Sequence, residues 1–252
     1  MTYTQRTQRV HRPMHLVLAG VATLLTFPAA AGTFTPPAGC EGWMTVQMRN
    51  CKVSNHYRCA ADAPGDTWRV DFGINGAYFR SKIDYETQWV ESYNSDGTVE
   101  YLESGAPDPA SFSELIETGR DTYEFSQISS NGVRQTVRGY DQLTGEEVTI
   151  DGVTLMRTKY DARVTYDDGT LAYHAQGNEF VHPEWRIFLS GTGQIDGGEG
   201  PIPQDFTPVE FAFPGDPGFM TTIPTYECEA VSVELEVPPA EVVPASYPVS
   251  GE

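Results

Sequence analysis

Apolar and polar residues alternate along much of this chain, and this alternation restricts the fold more than any other feature. It is clear in WMTVQMR (43–49), in TWRVDFGI (67–74) and in FRSKIDYETQW (79–89). A period of two places successive side chains on opposite faces of a β-strand. These stretches therefore predict half-buried strands. Further strands are predicted over residues 121–129, 132–140, 146–150, 153–166, 169–181, 183–190 and 206–213.

Turn sequences separate several of these strands. They are NSDG (94–97), SSNG (129–132), IDG (150–152) and YDDG (166–169). Short connections of this type join antiparallel neighbours. The similarity between SDGTVEY (95–101) and DDGTLAY (167–173) is interpreted as the same turn chemistry used twice, with a duplicated hairpin as the alternative.

The predicted fold is mainly β. It is an antiparallel meander forming a curved sheet or half-open barrel, with a sandwich as the alternative. One short helix is predicted to begin at Asp108-Pro109 and to stop near Gly119. Residues 201–225 contain six prolines and predict a coil-rich C-terminal wrap.

The first 31 residues have the composition of a signal peptide. Arg6, Arg9 and Arg12 precede an apolar run that is too short for a transmembrane helix, and small residues follow it. Residues 32–237 are then expected to form a single β-rich domain, and residues 238–252 a disordered tail. Lipidation at Cys40, in PPAGC, is the alternative.

The charge excludes one class of partner and favours a compartment. The chain has a net charge of −19, and without residues 1–31 it keeps 13 basic against 35 acidic residues, a net charge of −22. Such a chain is repelled by nucleic acid and by anionic membrane surfaces. We expect a periplasmic or secreted protein with no nucleic-acid partner and no membrane span.

The four cysteines, Cys40, Cys51, Cys59 and Cys228, predict two disulfides. Their spacing is too wide for the cysteine pairs of zinc sites. A hairpin centred on Asn55 would place Cys51 opposite Cys59. The predicted pairing is therefore Cys51–Cys59, with Cys40–Cys228 tying the C-terminal wrap to the start of the domain.

Two segments are candidate sites. SYNSDGTVEYLE (92–103) partly fits a calcium loop, with Asn94, Asp96 and Glu103 as ligands, although a plain hairpin turn also explains it. HAQGNEFVHPEWR (174–186) combines polar and aromatic residues and is the candidate ligand-binding surface. Its alternative is a pair of strands that flank a turn. The residues singled out there are His174, His182, Glu184, Trp185 and Arg186.

No linear catalytic signature or dinucleotide fingerprint occurs in the sequence, so no catalytic residue and no cofactor are predicted. The stretches VSNHYRC, GDTWRVDF, RGYDQLTGEEVTIDGVTL, HPEWRIFLSG and VEFAFPGDPGF resemble a family of uncharacterised exported (periplasmic) proteins of alphaproteobacteria. The resemblance covers most of the chain after residue 31 and implies export, but it supplies no activity.

Three functions are compatible with these features. The first is non-catalytic binding of an apolar or amphipathic small molecule or lipid. In that case the curved sheet would present one aromatic face, with Trp68, Phe72, Ile83, Tyr85 and Trp89. The second is a periplasmic hydrolase using histidine and carboxylate chemistry near residues 174–186. The third is a structural envelope protein.

Overall fold

The computed structural model describes residues 32–229, and the structural statements below concern that range. The predicted signal peptide (1–31) and tail (238–252) lie outside the described residues. The elements in chain order are β1 (Cys40–Met48), β2 (Lys52–Cys59), β3 (Thr67–Gly73), β4 (Gly76–Ile83), β5 (Trp89–Asn94), β6 (Val99–Leu102), α1 (Phe112–Thr118), β7 (Arg120–Ser129), β8 (Arg134–Ile150), β9 (Val153–Tyr166), β10 (Leu171–His182), β11 (Ile187–Asp196), β12 (Ile202–Asp205) and β13 (Pro208–Ala212).

All thirteen strands belong to one antiparallel meander sheet, which confirms the predicted fold class. Each strand from β1 to β12 pairs with its neighbour in the chain, and β13 pairs with the outer edge of β1. The chain thus passes from edge strand β12 to edge strand β13 through only Phe206 and Thr207. Two linking residues span at most about 11 Å between flanking Cα atoms. The sheet must therefore curl until its edges approach, although β12 and β13 do not pair and it is not closed.

The two similar turns use the same chemistry, as predicted. In SDGT (95–98) and in DDGT (167–170), an aspartate Oδ1 accepts the backbone N–H of the threonine, at 2.8 and 2.9 Å. The glycines, Gly97 and Gly169, have φ of 85° and 82°. Glycine adopts this left-handed conformation without the steric cost of a Cβ atom, so each turn closes a tight hairpin.

Helix α1 ends where the sequence predicts but begins later. Gly119 closes it in the left-handed conformation, with φ of 84°. The N-cap is Ser111, whose hydroxyl accepts the N–H of Glu114 at 3.2 Å. The predicted cap at Asp108 is wrong because the backbone of Asp108 instead forms a β-bridge with Glu124. That bridge holds the residue in extended conformation beside β7.

The predicted strand boundaries need three corrections. Residues 132–140 and 146–150 form one long strand, β8, with an irregularity between Leu143 and Glu147. The predicted strand 79–89 is interrupted by a turn at residues 84–88, and the predicted strand 183–190 begins only at Ile187. In each case the local alternation of apolar and polar residues does not reveal where a bulge or a turn interrupts the strand.

The single aromatic face predicted for the sheet is wrong. Trp68 and Phe72 pack with Phe34 in one cluster, whereas Ile83 packs in another. The side chains of Tyr85 and Trp89 are 52% and 38% exposed. The turn at 84–88 breaks the parity that would have aligned these residues.

The C-terminal coil covers one face of β1 and β2, a position that the sequence did not predict. The amide of Gln47 donates to the carbonyl of Ile223 at 3.0 Å, and that of Asn55 donates to Thr221 at 2.8 Å. Because the wrap supplies backbone acceptors, these two polar side chains are buried with their hydrogen bonds satisfied. Both strands are therefore covered on this face by protein.

The two disulfides form, but with a different pairing from the prediction. Cys40 is bonded to Cys59 and Cys51 to Cys228, across separations of 19 and 177 residues. The predicted hairpin around Asn55 is wrong because residues 52–59 are one uninterrupted strand. The turn lies earlier and places Cys40 opposite Cys59 in the register of β1 and β2. A disulfide at Cys40 also leaves no thiol there for a lipid thioether.

Candidate functional site

A buried ionic group lies on β2 and β3. The side chain of Asp71 is 2% exposed; it receives a hydrogen bond from Ser54 Oγ at 2.6 Å and lies 3.0 Å from Lys52 Nζ. Arg69 Nε is 3.2 Å from the same carboxylate. Burial alone would raise the pKa of Asp71, but the charges of Arg69 and Lys52 hold it below its usual value. Asp71 therefore stays ionised between two neighbouring cations and offsets one of their two charges.

Three further carboxyl groups lie on β7, β8 and β10. Asp121 is the register partner of Asp141, and Glu179 is the register partner of Thr158 on β9. Asp141 pairs across β8 and β9 with Tyr160, which lies two residues from Thr158. Register partners project from the same face of a sheet. The carboxyl groups of Asp121, Asp141 and Glu179 therefore share one face.

Burial makes these three carboxyl groups hard to ionise. It raises the pKa of Asp121 to about 6. Burial, then the charges of Glu179 and Asp121, raise the pKa of Asp141 to about 8. Burial also raises the pKa of Glu179 to about 7, although Arg69 and Lys52 oppose that shift. Near neutral pH this group of carboxyls therefore holds protons that ordinary carboxylates have lost.

Both ionic groups lie on the concave face of the curled sheet. Arg69 and Lys52 act electrostatically on Glu179, although six strands separate β3 from β10 in the sheet. Side chains so far apart along a sheet approach each other only where it curves around them. We call the six residues the charged cluster: Lys52, Arg69, Asp71, Asp121, Asp141 and Glu179.

Several buried polar atoms around this cluster have no hydrogen-bond partner. They are Oγ1 of Thr158, Oδ1 of Asp121, both ring nitrogens of His56 and Nε of Arg69. Thr158, Asp121 and His56 are 0%, 3% and 3% exposed, and His56 is the register partner of Arg69. Most buried polar groups in proteins are paired. Unpaired atoms concentrated on one face indicate a place where a bound molecule or water supplies the missing partners.

An aromatic and aliphatic patch adjoins the carboxyl groups. Tyr123, Phe125, Val137, Ala162 and Val164 form its buried part, and Tyr160 and Tyr173 pack against it. Burial, and then nearby carboxylates, raise the pKa of Tyr160 and of Tyr173 to about 12, so both phenols stay neutral. Both rings are only half-buried. The concave face thus combines ionisable groups with apolar surface.

The five residues predicted as a ligand-binding surface do not form one site, and of the five His182 and Trp185 are stacked on each other. His174 lies along β10, with Nε2 3.0 Å from Oδ1 of Asp161. His182 stacks on Trp185 in the turn before β11, with ring centroids 3.8 Å apart. By strand parity both histidines lie on the face of β10 opposite to Glu179. Glu184 is exposed in the same turn.

Arg186 joins three parts of the fold. Its Nε donates to the carbonyl of Tyr85 at 2.7 Å, and Nη2 donates to Glu86 at 3.1 Å and to Ser113 at 2.8 Å. The guanidinium lies over the Tyr85 ring at 3.8 Å. The side chain therefore connects the turn before β11 with the turn before β5 and with the first turn of α1.

The predicted calcium loop is a hairpin turn between β5 and β6. Asp96 accepts a backbone N–H within the turn, and Glu103 is ion-paired with Arg134. Within residues 32–229, no group of three or more His, Cys, Asp or Glu side chains is arranged to hold a metal ion.

Sequence reasoning missed the charged cluster because its members form no linear motif. Arg69 and Asp71 occupy polar positions of the alternating stretch 67–74, and Lys52 lies outside every predicted strand. The wrap covers the other face of β2, so both of its faces are buried. The available signal was the series KVSNHY (52–57), where polar residues occur at both parities.

Two surface pockets lie away from the cluster. One, of about 380 Å³, is lined by residues 103–107 with Ser126 and Arg134. Arg134 already contacts Glu103, Asp167 and Ser126 there. The other, of about 290 Å³, lies under the C-terminal wrap beside Thr45 and Gln47. Neither pocket includes a residue of the charged cluster.

The compartment follows from the covalent structure. Two disulfides and no free cysteine among residues 32–229 indicate an oxidising, extracytoplasmic environment. No helix in this range is long and apolar enough to cross a bilayer. Comparison of the chain with protein-family models, with curated proteins and with solved structures finds no match.

Proposed function

We propose that this is a periplasmic or secreted binding protein that holds an amphipathic small molecule on the concave face of its sheet. The polar part of the molecule would contact the charged cluster, and its apolar part would contact the patch around Phe125 and Tyr173. This combination of mainly apolar walls and a few placed polar groups is typical of small-molecule sites.

One observation supports the proposal most directly. Thr158 and Asp121 are almost fully buried, yet each keeps an oxygen without a partner beside ionisable carboxyl groups. An unsatisfied buried oxygen lowers the stability of a fold unless something binds it. A ligand that donates hydrogen bonds to these acceptors would remove that cost.

The test is native mass spectrometry of the exported protein, purified from its own compartment without denaturation. We expect a copurified small molecule, and its loss in the Asp141→Asn, Glu179→Gln double variant. Glu117→Gln, an exposed carboxylate on α1, is the matched control and should retain the molecule. Near-UV circular dichroism establishes that each variant is folded. The proposal fails if the folded wild-type protein carries no molecule and a panel of amphipathic compounds leaves its melting temperature unchanged.

A second candidate function is hydrolysis, favoured by the shared face and the raised pKa values of Asp141 and Glu179. A carboxyl group protonated near pH 7 can act as a general acid while a second, ionised one acts as base or nucleophile. Generic esters, glycosides and phosphates should then be turned over, and either single amide substitution should abolish turnover. Activity that survives in both variants would contradict this assignment. If the protein neither binds a small molecule nor hydrolyses these substrates, that result favours the structural envelope role.

A further inference from the structure

The charged cluster lacks enough positive charge to balance its carboxylates. With every group ionised, the two cations Lys52 and Arg69 face four carboxylates, a net charge of −2. Asp71 lies within 3.2 Å of both cations and offsets one of their two positive charges. The uncompensated charge therefore falls on Asp121, Asp141 and Glu179, and either protons or a bound cation must balance it.

The polar atoms that lack partners at this end are two oxygens that can accept hydrogen bonds, a carboxyl oxygen and a hydroxyl that can also donate. Asp121 Oδ1 is unpartnered and accepts only, while Thr158 Oγ1 is unpartnered, fully buried and in register with Glu179. An ammonium group carries several N–H donors and no acceptor, so it matches this set. The tyrosine rings of the adjoining patch add favourable faces for a cation.

We propose that the acidic half of the cluster binds the ammonium group of an organic amine between Asp141 and Glu179, with Asp121 and Thr158 as further acceptors. This inference rests on the proposed binding function and names the chemical class of its ligand. The patch around Phe125 and Tyr173 would take the alkyl part of the amine. The net charge of the chain, −19, also raises the local concentration of cations.

The groups that would influence this site come from several strands. Lys52 and Arg69 act on Glu179, and Asp121 acts on Asp141. The phenols of Tyr123 and Tyr160 lie close enough to both carboxyls to be affected by them. A bound ammonium would separate the like charges of Asp141 and Glu179, because each would then face a cation.

The experiment compares butylammonium chloride with 1-butanol, a neutral molecule of similar size, in calorimetric titrations and thermal melts of the exported protein. Sodium, calcium and magnesium chlorides at matched ionic strength are the other arms. We expect butylammonium to bind and to raise the melting temperature, while butanol and the metal salts do not. Glu179→Gln and Asp141→Asn should each weaken binding roughly tenfold or more, as expected for loss of a charged hydrogen bond.

Thr158→Val tests the neutral acceptor and should weaken binding by a smaller factor, whereas Glu117→Gln should leave it unchanged. Equal responses to butanol and butylammonium would overturn the inference, as would tighter binding of calcium or magnesium, which would identify a metal site. If a copurified molecule is present but proves neutral or anionic, only the ammonium assignment fails. If no small molecule of any charge binds, the proposed function fails with it.

Discussion

At the scale of single residues, the unusual feature is the number of titratable and polar groups that this sheet buries. Asp141 and Glu179 keep protons in the folded state at pH values where the unfolded chain has released them, because burial raises the pKa of both. His56 behaves in the opposite way, since burial lowers its pKa to about 3 and keeps it neutral. Each shift links stability to pH with its own sign.

We predict that the protein becomes less stable as the pH rises from about 6.5 to about 8.5. Over this range the folded state loses protons from Glu179 and Asp141 while the unfolded state has none left to lose. The free energy of unfolding should fall by up to about 1.4 kcal/mol per pH unit for each proton. Urea denaturation at a series of pH values measures this slope.

The Asp141→Asn, Glu179→Gln double variant should have a nearly flat profile in the same window. His56 does not interfere there, because its effect is a loss of stability below about pH 6.5, where only the unfolded chain takes up the proton. A wild-type profile that rises between pH 6.5 and 8.5 would show that these carboxyls are not protonated in the folded state.

Thr158 should limit the stability of the ligand-free protein. Its hydroxyl is fully buried and unpartnered, so Thr158→Val removes an unsatisfied polar group at nearly constant volume. We expect the free energy of unfolding to rise by about 1 kcal/mol. Thr45→Val is the matched control, because the hydroxyl of Thr45 is equally buried but bonds Asn55 at 2.6 Å and Met220 at 2.7 Å. The control should be destabilised; equal effects in the two variants would contradict the reasoning.

At the scale of elements, the turn between β10 and β11 is attached to the rest of the fold by Arg186. The side chain makes three hydrogen bonds, to Tyr85, Glu86 and Ser113, and is 17% exposed. The segment predicted as a ligand surface therefore also holds α1 and the turn at 84–88 in place. Tyr85 and Glu86, which Arg186 contacts in this role, lie about 100 residues away in sequence. No local sequence pattern therefore predicts it.

Arg186→Ala should lower the free energy of unfolding by about 2–3 kcal/mol, because a half-buried charged group and its partners lose their hydrogen bonds. The control is Arg138→Ala, which breaks the 2.7 Å pair with Glu124 at a site where the arginine side chain is 58% exposed. Exposed pairs of this type contribute little to stability, because solvent screens their charges and the side chains lose conformational freedom. Guanidinium denaturation of both variants gives the comparison, and equal losses would argue against a clamping role for Arg186.

At the scale of the whole molecule, the two disulfides differ in what they constrain. Cys40–Cys59 joins neighbouring strands, whereas Cys51–Cys228 links the turn after β1 to the end of the C-terminal wrap, 177 residues away. Closing a longer loop removes more entropy from the unfolded chain. The entropic model gives about 3 kcal/mol for the short loop and about 5 kcal/mol for the long one.

We predict that the Cys51→Ala, Cys228→Ala variant loses about 2 kcal/mol more stability than the Cys40→Ala, Cys59→Ala variant. Urea denaturation of the two variants measures this difference. Peptide mapping without reduction should recover Cys40 linked to Cys59 and Cys51 linked to Cys228. Recovery of a Cys51–Cys59 peptide would refute the pairing in the structure.

The sequence alone determined those features that depend on neighbours in the chain. Alternation in 67–74 and in 121–129 identified strands, Asp-Gly turns identified hairpins, and Gly119 marked the end of the helix. An even number of cysteines was enough to predict two bridges. These signals are reliable because the alternation of side chains along a strand and the left-handed conformation of a glycine each depend on only a few neighbouring residues.

Only the tertiary structure decided which cysteines pair and where the charged groups meet. A period of two separates the faces of a strand but does not say which face meets solvent, so it cannot place Arg69 and Asp71 inside the curled sheet. Glu179 approaches Lys52 and Arg69 because the sheet curls through thirteen strands and its edges are joined by two residues. That curvature is the sum of many small strand twists, so it cannot be predicted from any short stretch of sequence.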